Sequence, residues 1–324
     1  MNLIVERSPR EIIEFIEEFY AIEVMDIRST EKGLDNSVYF IIDNKNNKFV
    51  FKIVETKSSK KIKEAILLSS KLSDFFKIKY IKSKRNKIVE SFISIDRPVF
   101  LYEFRYADKI HFNEIHNISL ASEFIRCFHD CYKISHDMNE FILELNKDYK
   151  TYYSDSVINA IESDFRSFDK VREVTDYIPE VFKLLSDKVL NKKIFKGVTH
   201  GDFTPENILY KNGFLEFIDA DAISGFNWQI LDLLQFCCKT EIASDQNSLE
   251  LFLKSYNICE FDEIAISIFK DLCFIFSVNC MLSTFYYTYK VEKLSVSWIK
   301  HNGLYVLENL YNNIIFLYEN HFNK

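Results

Sequence analysis

The sequence is poor in the two residue types that interrupt regular secondary structure. Of its 324 residues, only six are glycine and four are proline. Flexible linkers and low-complexity tracts depend on such residues, and no internal repeat is visible, so the sequence argues against a linker-rich or solenoid protein. A hydrophobic content of 48% is instead enough for one large or two modest globular domains.

A concentrated stretch of positive charge is also missing. The formal net charge is −7, and most lysines alternate with acidic residues. The most basic stretch, residues 57–63, is short and lies where a helix is predicted to begin, which is typical of a solvated helix face. Binding to a phosphate backbone normally requires a concentrated basic surface, so the sequence disfavours a nucleic-acid partner.

The amino terminus lacks the continuous apolar segment of a secretory signal, because Glu6 and Arg7 follow directly after a few apolar residues. The seven cysteines are odd in number, contain no CxxC pair and lie mostly in apolar runs, as buried reduced thiols do. We therefore expect a cytoplasmic protein. Cys127, His129 and Cys131 could suggest a metal site, but residues two apart on a helix point to different faces.

One uncharged run, residues 272–289, is almost long enough to cross a membrane. Asn279 and several Ser and Thr residues interrupt it, and Lys270 and Asp271 precede it directly. No second apolar run follows. The pattern therefore favours a buried core helix, and we expect no membrane span.

The first third of the sequence reads as a helix followed mainly by strands. Ser8, Pro9 and Glu11 form a helix start, with a capping residue, a proline at the first helical position and a capping-box glutamate. Turn residues separate the segments that follow. The predicted strands are residues 23–31, 37–43, 49–54, 88–95 and 99–104, and a helix is predicted over residues 58–72.

The remaining two thirds read mainly as helices. They are predicted near residues 120–134, 150–165, 179–190, 229–240, 262–290 and 297–318. The only strand-like interruption that we predict there is residues 208–218. The pattern indicates an α+β protein with a small β-rich lobe, residues 1–105, and a larger mainly helical lobe, residues 106–324, linked near residues 101–106.

The most informative segment begins at His200 and contains the pattern HxDxxxxN, with Asp202 and Asn207 five positions apart. A short hairpin follows, and Asp219 lies at the end of its second strand. Farther along, Asp232 lies in the helical segment WQILDLLQF. The first pattern alone occurs by chance in unrelated proteins, but the ordered combination is much more specific.

These residue types suit phosphoryl transfer, which requires positioning and charge neutralisation more than covalent help from the protein. One carboxylate must face the acceptor hydroxyl, which fits Asp202. An amide and a second carboxylate must hold Mg²⁺ through oxygen atoms, which fits Asn207 and Asp219. Pro205 prevents a simple helix between Asp202 and Asn207, and so lets both side chains converge.

The segment resembles the catalytic core of the aminoglycoside phosphotransferase and choline kinase superfamily, relatives of the protein kinases. The resemblance implies a bilobal protein-kinase-like fold and a transferase that uses ATP or GTP with Mg²⁺. It implies that Asp202 is the catalytic base and that Asn207 and Asp219 bind the metal. It further implies that His200 and Asp232 hold the catalytic loop in place.

The same resemblance extends to the first third of the chain. Residues 33–39, GLDNSVY, resemble the family's phosphate loop, which assigns nucleotide contacts to Asn36 and Ser37. Strand alternation places Lys52 where a lysine could reach the nucleotide phosphates, and apolar neighbours favour this role over an exposed strand lysine. Glu64 on the following helix would be its partner. Residues 99–104 resemble the hinge that meets the adenine.

Asp221 departs from the family pattern, since an aromatic residue or glycine is common there. It could be an additional metal or acceptor ligand, or simply a loop acid, and the sequence leaves both open. The acceptor could be a sugar, an amino alcohol such as choline, or an aminoglycoside. HGDFTPEN and LDLLQF also resemble kinases encoded among bacterial cell-surface polysaccharide genes, which slightly favours a sugar.

A second reading is a catalytically weak nucleotide-binding scaffold that serves a protein partner, since a fold does not fix a function. Degenerate scaffolds usually lose at least one essential residue, whereas Lys52, Asp202, Asn207 and Asp219 are all present. A protein kinase is disfavoured, because the stretch between Asp219 and Asp232 is too short for an activation segment and no APE element is visible.

Overall fold

The computed structural model describes residues 8–30, 36–55, 57–92, 97–108, 110–112, 114–256, 263–291, 296, 299–300 and 304–322. The chain forms two compact units. The first comprises Met1–Asp108 and Leu209–Ala222, and the second comprises Lys109–Ile208 and Ile223–Lys324. The assignment of residues 1–105 and 106–324 as nucleotide-binding and catalytic lobes stays a prediction.

The first unit is built on a six-stranded antiparallel sheet in the order β1-β2-β3-β6-β4, with β5 also paired to β6. Its strands are β1 (Val24–Ser29), β2 (Asn36–Asp43), β3 (Lys48–Val54), β4 (Tyr80–Ile81), β5 (Glu90–Phe92) and β6 (Arg97–Glu103). The predicted strands therefore all form, although the two-residue β4 was not predicted.

Helix α1 (Pro9–Tyr20) begins as the sequence predicts. The Ser8 hydroxyl accepts the Glu11 backbone N–H, and the Glu11 carboxylate accepts the Ser8 N–H. One face of α1, which includes Ile12 and Phe15, belongs to the same buried cluster as Phe51 of the central strand β3. Burial of such side chains stabilises the unit by roughly 1.5–3 kcal/mol each. Helix α2 (Ser59–Lys71) follows β3, with Ser58 as its cap.

A hairpin from the middle of the sequence completes the first unit. It consists of β9 (Ile208–Lys211) and β10 (Phe214–Phe217). Asn212 and Gly213 form its turn with φ of 53° and 83°, the two positive values of the type I′ turns that suit two-residue hairpins. The Phe217 N–H donates to the Phe75 carbonyl at 2.8 Å, and a 3₁₀ turn (Ala220–Ala222) follows.

The second unit is mainly helical. Its helices are α3 (Ile115–His129), α4 (Met138–Tyr152), α5 (Asp155–Asp164), α6 (Val171–Lys188), α7 (Ile230–Lys239), α8 (Gln246–Ser255), α9 (Glu263–Tyr289) and α10 (Leu304–Leu317). The predictions of α7 and α9 are accurate to one or two residues. Helices α4 and α8 were missed, and the helix predicted over residues 150–165 corresponds to α5 with a start five residues too early.

The prediction that only residues 208–218 interrupt the helices was wrong. A three-stranded antiparallel sheet, in the order β11-β8-β7, also belongs to the second unit. Its strands are β7 (Lys133–Asp137), β8 (Lys193–Thr199) and β11 (Ser224–Trp228). The strands are short, at five to seven residues, and contain few buried apolar side chains, so the apolar signal on which the prediction relied is weak. The helix predicted over residues 120–134 ends at His129, and Lys133 already begins β7.

Pro179 lies inside α6 rather than at its start. The helix is strongly two-faced, and most of its apolar positions, which include Val174, Ile178 and Val181, are buried. This burial outweighs the cost of a proline within a helix, which is roughly 3 kcal/mol.

The uncharged run predicted as a core helix lies in α9. Residues Ile266–Tyr289 are apolar and long enough to cross a membrane by length and composition, but 67% of the most apolar window is buried inside the protein. Asn279 donates its Nδ2 to the Leu145 carbonyl at 3.0 Å. A buried polar group with a protein partner is what a core helix requires.

Candidate active site

The loop that carries HxDxxxxN follows strand β8 in the second unit. Gly201 adopts φ of 78°, a left-handed conformation that glycine reaches without the steric cost of a side chain. His200 is fully buried, and its Nδ1 lies 3.3 Å from the Asp202 N–H, which donates to it. A 3₁₀ turn, Pro205–Asn207, ends the loop and begins with the proline, as a helical first position allows.

The loop brings Asp202 and Asn207 together. The Asn207 Nδ2 donates to the Asp202 Oδ2 at 2.8 Å and to the Asp202 carbonyl at 2.9 Å. Because the nitrogen of this amide is used by Asp202, its oxygen Oδ1 is the atom that could bind a hard cation. The loop thus presents one oriented carboxylate beside one amide oxygen.

Asp232, in the first turn of α7, accepts hydrogen bonds from the backbone of this loop. Its Oδ2 accepts the His200 N–H at 2.7 Å and its Oδ1 accepts the Gly201 N–H at 2.9 Å. Asp232 is fully buried. Hydrogen bonds to a carboxylate are stronger than those between neutral groups, so this residue fixes the backbone immediately before Asp202.

His129 is a member of this network that the sequence reasoning missed, since it considered the residue only as part of a metal site. Its Nε2 lies 3.0 Å from Asp232 Oδ2 and its Nδ1 lies 2.6 Å from the Tyr256 hydroxyl. A carboxylate can only accept a hydrogen bond, whereas the Tyr256 hydroxyl can donate or accept. Nε2 then carries the proton that Asp232 accepts.

Gln235 was also missed, although it directly contacts the proposed catalytic carboxylate. Its Nε2 donates to Asp202 Oδ1 at 2.8 Å, and its Oε1 accepts the Phe203 N–H at 3.2 Å. Since a backbone N–H can only donate, this second contact fixes the orientation of the amide. Gln235 follows Asp232 by three positions, which places both on one face of α7, and this spacing is the signal that could have identified it.

Lys52 lies in the middle of β3 in the first unit and is only 2% exposed. Its ammonium contacts the Asp219 carboxylate and lies 3.1 Å from Asp221 Oδ2. Burial alone would lower the pKa of Lys52, but Asp219 and Asp221 together raise it above its ordinary value. Lys52 is therefore a buried ammonium paired with two acids.

Asp219 follows the hairpin and adopts φ of 60°, which is uncommon for a residue other than glycine. The 3₁₀ turn that follows brings Asp221 back toward Lys52. Asp221 also lies 3.7 Å from the Lys57 ammonium and accepts the Asn36 Nδ2 at 3.1 Å. Burial raises the pKa of Asp221, and Lys52 opposes that shift.

The structure does not bring Glu64 to Lys52. The Glu64 side chain is 64% exposed on α2 and lies 4.0 Å from the Lys60 ammonium, one helical turn away. Among the described residues, the carboxylates that pair with the Lys52 ammonium are those of Asp219 and Asp221. The predicted role of Glu64 stays a prediction.

Residues 33–35 of the predicted phosphate loop lie outside the described residues. Asn36 and Ser37, at the start of β2, are described. The Ser37 hydroxyl donates to the buried carboxylate of Glu55 at 3.0 Å, and Asn36 contacts Asp221. Both side chains therefore tie the strand that follows the loop to acidic residues of the same unit.

The strand predicted as the hinge, β6, carries an aromatic cluster. The rings of Tyr80, Phe100 and Tyr102 have centroids 6.0 to 6.3 Å apart. Burial raises the pKa of Tyr80 to about 12, and it also raises that of Tyr102. Phe100 is the residue opposite Lys52 in the pairing of β3 with β6, so this aromatic cluster includes the cross-strand neighbour of the lysine.

Within the part of the chain that the structure describes, no group of three or more His, Cys, Asp or Glu side chains could by itself hold a metal ion. Mg²⁺ commonly takes one or two protein oxygens and completes its shell with phosphates and water. Asn207 and Asp219 both offer the hard oxygen atoms that such an ion prefers.

Comparison with known proteins shows similarity in structure but not in sequence. No protein-family profile matches the chain, and no curated protein matches it. A spectinomycin phosphotransferase in complex with ADP and spectinomycin aligns with 97% of this chain and 99% of its own, with a TM-score of 0.63 and 12% identity.

Two further structures are similar over nearly their whole length. An amicoumacin kinase, in a complex that includes AMP-PNP and Ca²⁺, aligns with 95% of this chain and 93% of its own, at a TM-score of 0.60 and 16% identity. A choline kinase from Streptococcus pneumoniae aligns with 94% of this chain and 98% of its own, at a TM-score of 0.59 and 16% identity. The predicted α+β, kinase-like fold is thereby confirmed, and with it the fold-level resemblance to these phosphotransferases.

Proposed function

We propose that this protein is a phosphotransferase that moves the γ-phosphoryl group of ATP or GTP to a hydroxyl group of a small molecule. The observation that supports it best is the catalytic loop, in which the Asp202 carboxylate is held between two amide groups on a backbone anchored by Asp232. A fold shared with small-molecule kinases supports it independently.

In this proposal Asp202 accepts a hydrogen bond from the acceptor hydroxyl and takes its proton as the hydroxyl oxygen attacks the γ-phosphorus, whose bond to the leaving nucleoside diphosphate breaks. General-base catalysis of this kind contributes about 10²- to 10⁴-fold to the rate. The amides of Asn207 and Gln235 keep the carboxylate in one orientation. Correct orientation of the reacting groups is where phosphoryl-transfer enzymes gain most of their rate.

The nucleotide would be held by charge. Lys52 supplies a buried ammonium for the phosphates, and Asn36 and Ser37 follow the predicted phosphate loop. Bound Mg²⁺ would take oxygen ligands from Asn207 and Asp219, and would neutralise charge on the phosphates.

The acceptor class is a sugar, an amino alcohol or an aminoglycoside. The similar structures include proteins named for spectinomycin and choline, which is consistent with a small hydroxyl compound. The acidic net charge of −7 is compatible with a cationic acceptor, and we propose that the enzyme acts in the cytoplasm.

The alternative, a nucleotide-binding scaffold with weak activity, is less well supported. A scaffold needs no oriented base, yet three hydrogen bonds from Asn207 and Gln235 are devoted to the carboxylate and carbonyl of Asp202. Lys52, Asn207 and Asp219 are retained as well.

A ligand-dependent thermal-shift experiment tests the proposal. Mg-ATP or Mg-GTP should raise the melting temperature of the wild-type protein, since a ligand that binds only the folded state stabilises it by mass action. Choline, spectinomycin, glucose and galactose would then be assayed for acceptor-dependent release of nucleoside diphosphate. No shift with either nucleotide would refute the proposed function.

Asp219→Ala is the matched variant in that experiment, with Asp74→Asn, an exposed acid of the same unit, as its control. If Asp219 binds the metal, its loss should greatly reduce the shift with Mg²⁺ and nucleotide together. An equal shift in both variants would contradict the metal role of Asp219.

A further inference from the structure

Lys52 lies between two carboxylates that come from one short segment, and these two have different surroundings. The Asp219 side chain is 30% exposed, whereas that of Asp221 is 4% exposed. Asp221 Oδ2 lies 3.1 Å from the Lys52 ammonium, which is hydrogen-bond distance for an ion pair. Asp221 is therefore the inner partner of the lysine and Asp219 the outer one.

Several groups fix Asp221 itself. The Asn36 amide donates to its Oδ2, the Lys57 ammonium lies 3.7 Å from its Oδ1, and Lys57 also donates to its backbone carbonyl at 3.1 Å. These partners come from the start of β2 and from the segment between β3 and α2. A carboxylate with so many partners has little freedom to move, and it can hold Lys52 in one place.

Resting on the proposed function, we propose that Asp221 is the positioning residue that holds the Lys52 ammonium for the nucleotide phosphates, in place of Glu64. A lysine that binds phosphates on a flexible four-carbon stem needs such a carboxylate to fix its position. Glu64 is exposed and lies beside Lys60. The anchoring acid is thus supplied by the segment after the hairpin rather than by helix α2.

Lys52 needs a second acid because Asp219, the first, is proposed to bind the metal. Once Asp219 gives its oxygen to the metal, it is less able to hold Lys52, and Asp221 is the acid that remains. Conversely, removal of the Asp221 charge leaves the buried ammonium with Asp219 as its main partner. Lys52 then competes with the metal for the Asp219 carboxylate, because a buried charge requires a partner.

This competition predicts that neutralising Asp221 changes nucleotide affinity in the opposite direction from a purely electrostatic effect. An anion near the phosphates repels them, so if Asp221 acted only through its charge, its neutralisation would tighten nucleotide binding. If Asp221 positions Lys52 and spares Asp219, neutralisation weakens the binding of Mg-nucleotide and raises the Mg²⁺ concentration needed for half-maximal binding.

The experiment is titration calorimetry of Mg-ATP into the wild-type protein and into Asp221→Asn, Asp221→Glu, Glu64→Gln and Asp74→Asn. We expect Asp221→Asn to lose at least about tenfold in affinity, and to require more Mg²⁺, while Asp221→Glu recovers part of the loss. Glu64→Gln and the exposed control Asp74→Asn should remain within about twofold of the wild type.

Unfolding curves of each variant separate positioning from simple loss of structure. If Asp221→Asn proves too unstable to titrate, the test uses Asp221→Glu, which keeps the charge. Its Mg-ATP affinity and the Mg²⁺ concentration that it needs for half-maximal binding are then compared with those of the wild type. Unchanged or tighter Mg-ATP binding by a folded Asp221→Asn, or a tenfold loss in Glu64→Gln alone, would overturn the assignment. Failure of the wild type to bind either nucleotide would instead refute the proposed function and this role together.

Discussion

Two sets of acidic residues, one in each unit, are held by different kinds of partner. In the second unit, Asp202 and Asp232 accept hydrogen bonds from side-chain amides, backbone N–H groups and the His129 imidazole. In the first unit, Asp219 and Asp221 face the ammonium groups of Lys52 and Lys57.

In the proposed function, this difference corresponds to two chemical tasks. Amide and backbone donors are directional and uncharged, so they fix the orientation of a base without cancelling its charge. Ammonium ions are compact charges on flexible stems, and can transfer from a carboxylate to a phosphate when a charged nucleotide binds. The loop is organised for geometry, and the lysine cluster for exchange of charge.

The largest effect should come from removing the proposed base. Asp202→Ala is expected to reduce acceptor-dependent nucleotide turnover by about 10²- to 10⁴-fold. Nucleotide affinity should change little, because Lys52 and Asp219 lie in the other set. Steady-state kinetics and calorimetry measure the two quantities, and a wild-type rate would remove Asp202 from the reaction.

Loss of the loop support should have the next largest effect. Asp232→Ala leaves the N–H groups of His200 and Gly201 buried without their acceptor, and we expect the free energy of unfolding to fall by about 3 kcal/mol. Urea denaturation measures it. Asp232→Asn retains one acceptor oxygen and should lose less; a loss below about 1 kcal/mol in Asp232→Ala would show that the loop does not depend on this anchor.

A smaller effect is expected for the amide that contacts Asp202. Gln235→Leu should lower kcat about tenfold with little change in the KM for nucleotide, because the carboxylate loses one of its two orienting amides. The exposed Gln246→Leu is the matched control. In an Asp202→Ala background Gln235→Leu should have no further effect on turnover, and additive losses would show that Gln235 acts independently of Asp202.

The smallest effect is expected at Asp43, the last residue of β2, which lies far in sequence from the loop that carries Asp202. Burial acts to raise the pKa of Asp43, but hydrogen bonds from Asn47 and from the Lys45 N–H hold it below its ordinary value. The carboxylate therefore stabilises the fold above the unfolded pKa of about 3.9, and this contribution is lost as pH falls through the lower folded value.

Asp43→Asn removes the pH-dependent contribution of this carboxylate to the free energy of unfolding. The wild type should be more stable than the variant at pH 6, and the difference should shrink as the pH is lowered to about 3. Denaturant midpoints at a series of pH values test it. A difference that stays constant with pH would mean that the charge of Asp43 contributes nothing to stability.

Much of the first unit could be predicted because its signals are local. The Ser8 cap, the Asn212 and Gly213 turn, and the strands that flank Lys52 each depend on a few neighbouring residues. The strands of the second unit were not predicted, because they are short and contain few buried apolar residues. Their stability comes from pairing between β8 and strands more than twenty residues away in sequence.

Among the candidate residues, those that a motif can specify were identified from the sequence, whereas contacts that depend on spatial neighbours were not. Asp202, Asn207 and Asp232 have recognisable spacing. His129 lies on a helix about a hundred positions before Asp232, and nothing in the sequence connects them. Glu64 was chosen as the partner of Lys52 by resemblance, whereas the contacts of Lys52 are with Asp219 and Asp221.

The sequence alone determined which chemical groups are available and in what order: a lysine on a strand, an aspartate and an asparagine across a proline-containing turn, and acids after a hairpin. The tertiary structure decided which groups meet. Hydrogen bonds and ion pairs depend on distances of about 3 Å, and such distances between residues far apart in the chain are set by the packing of whole strands and helices rather than by any local pattern.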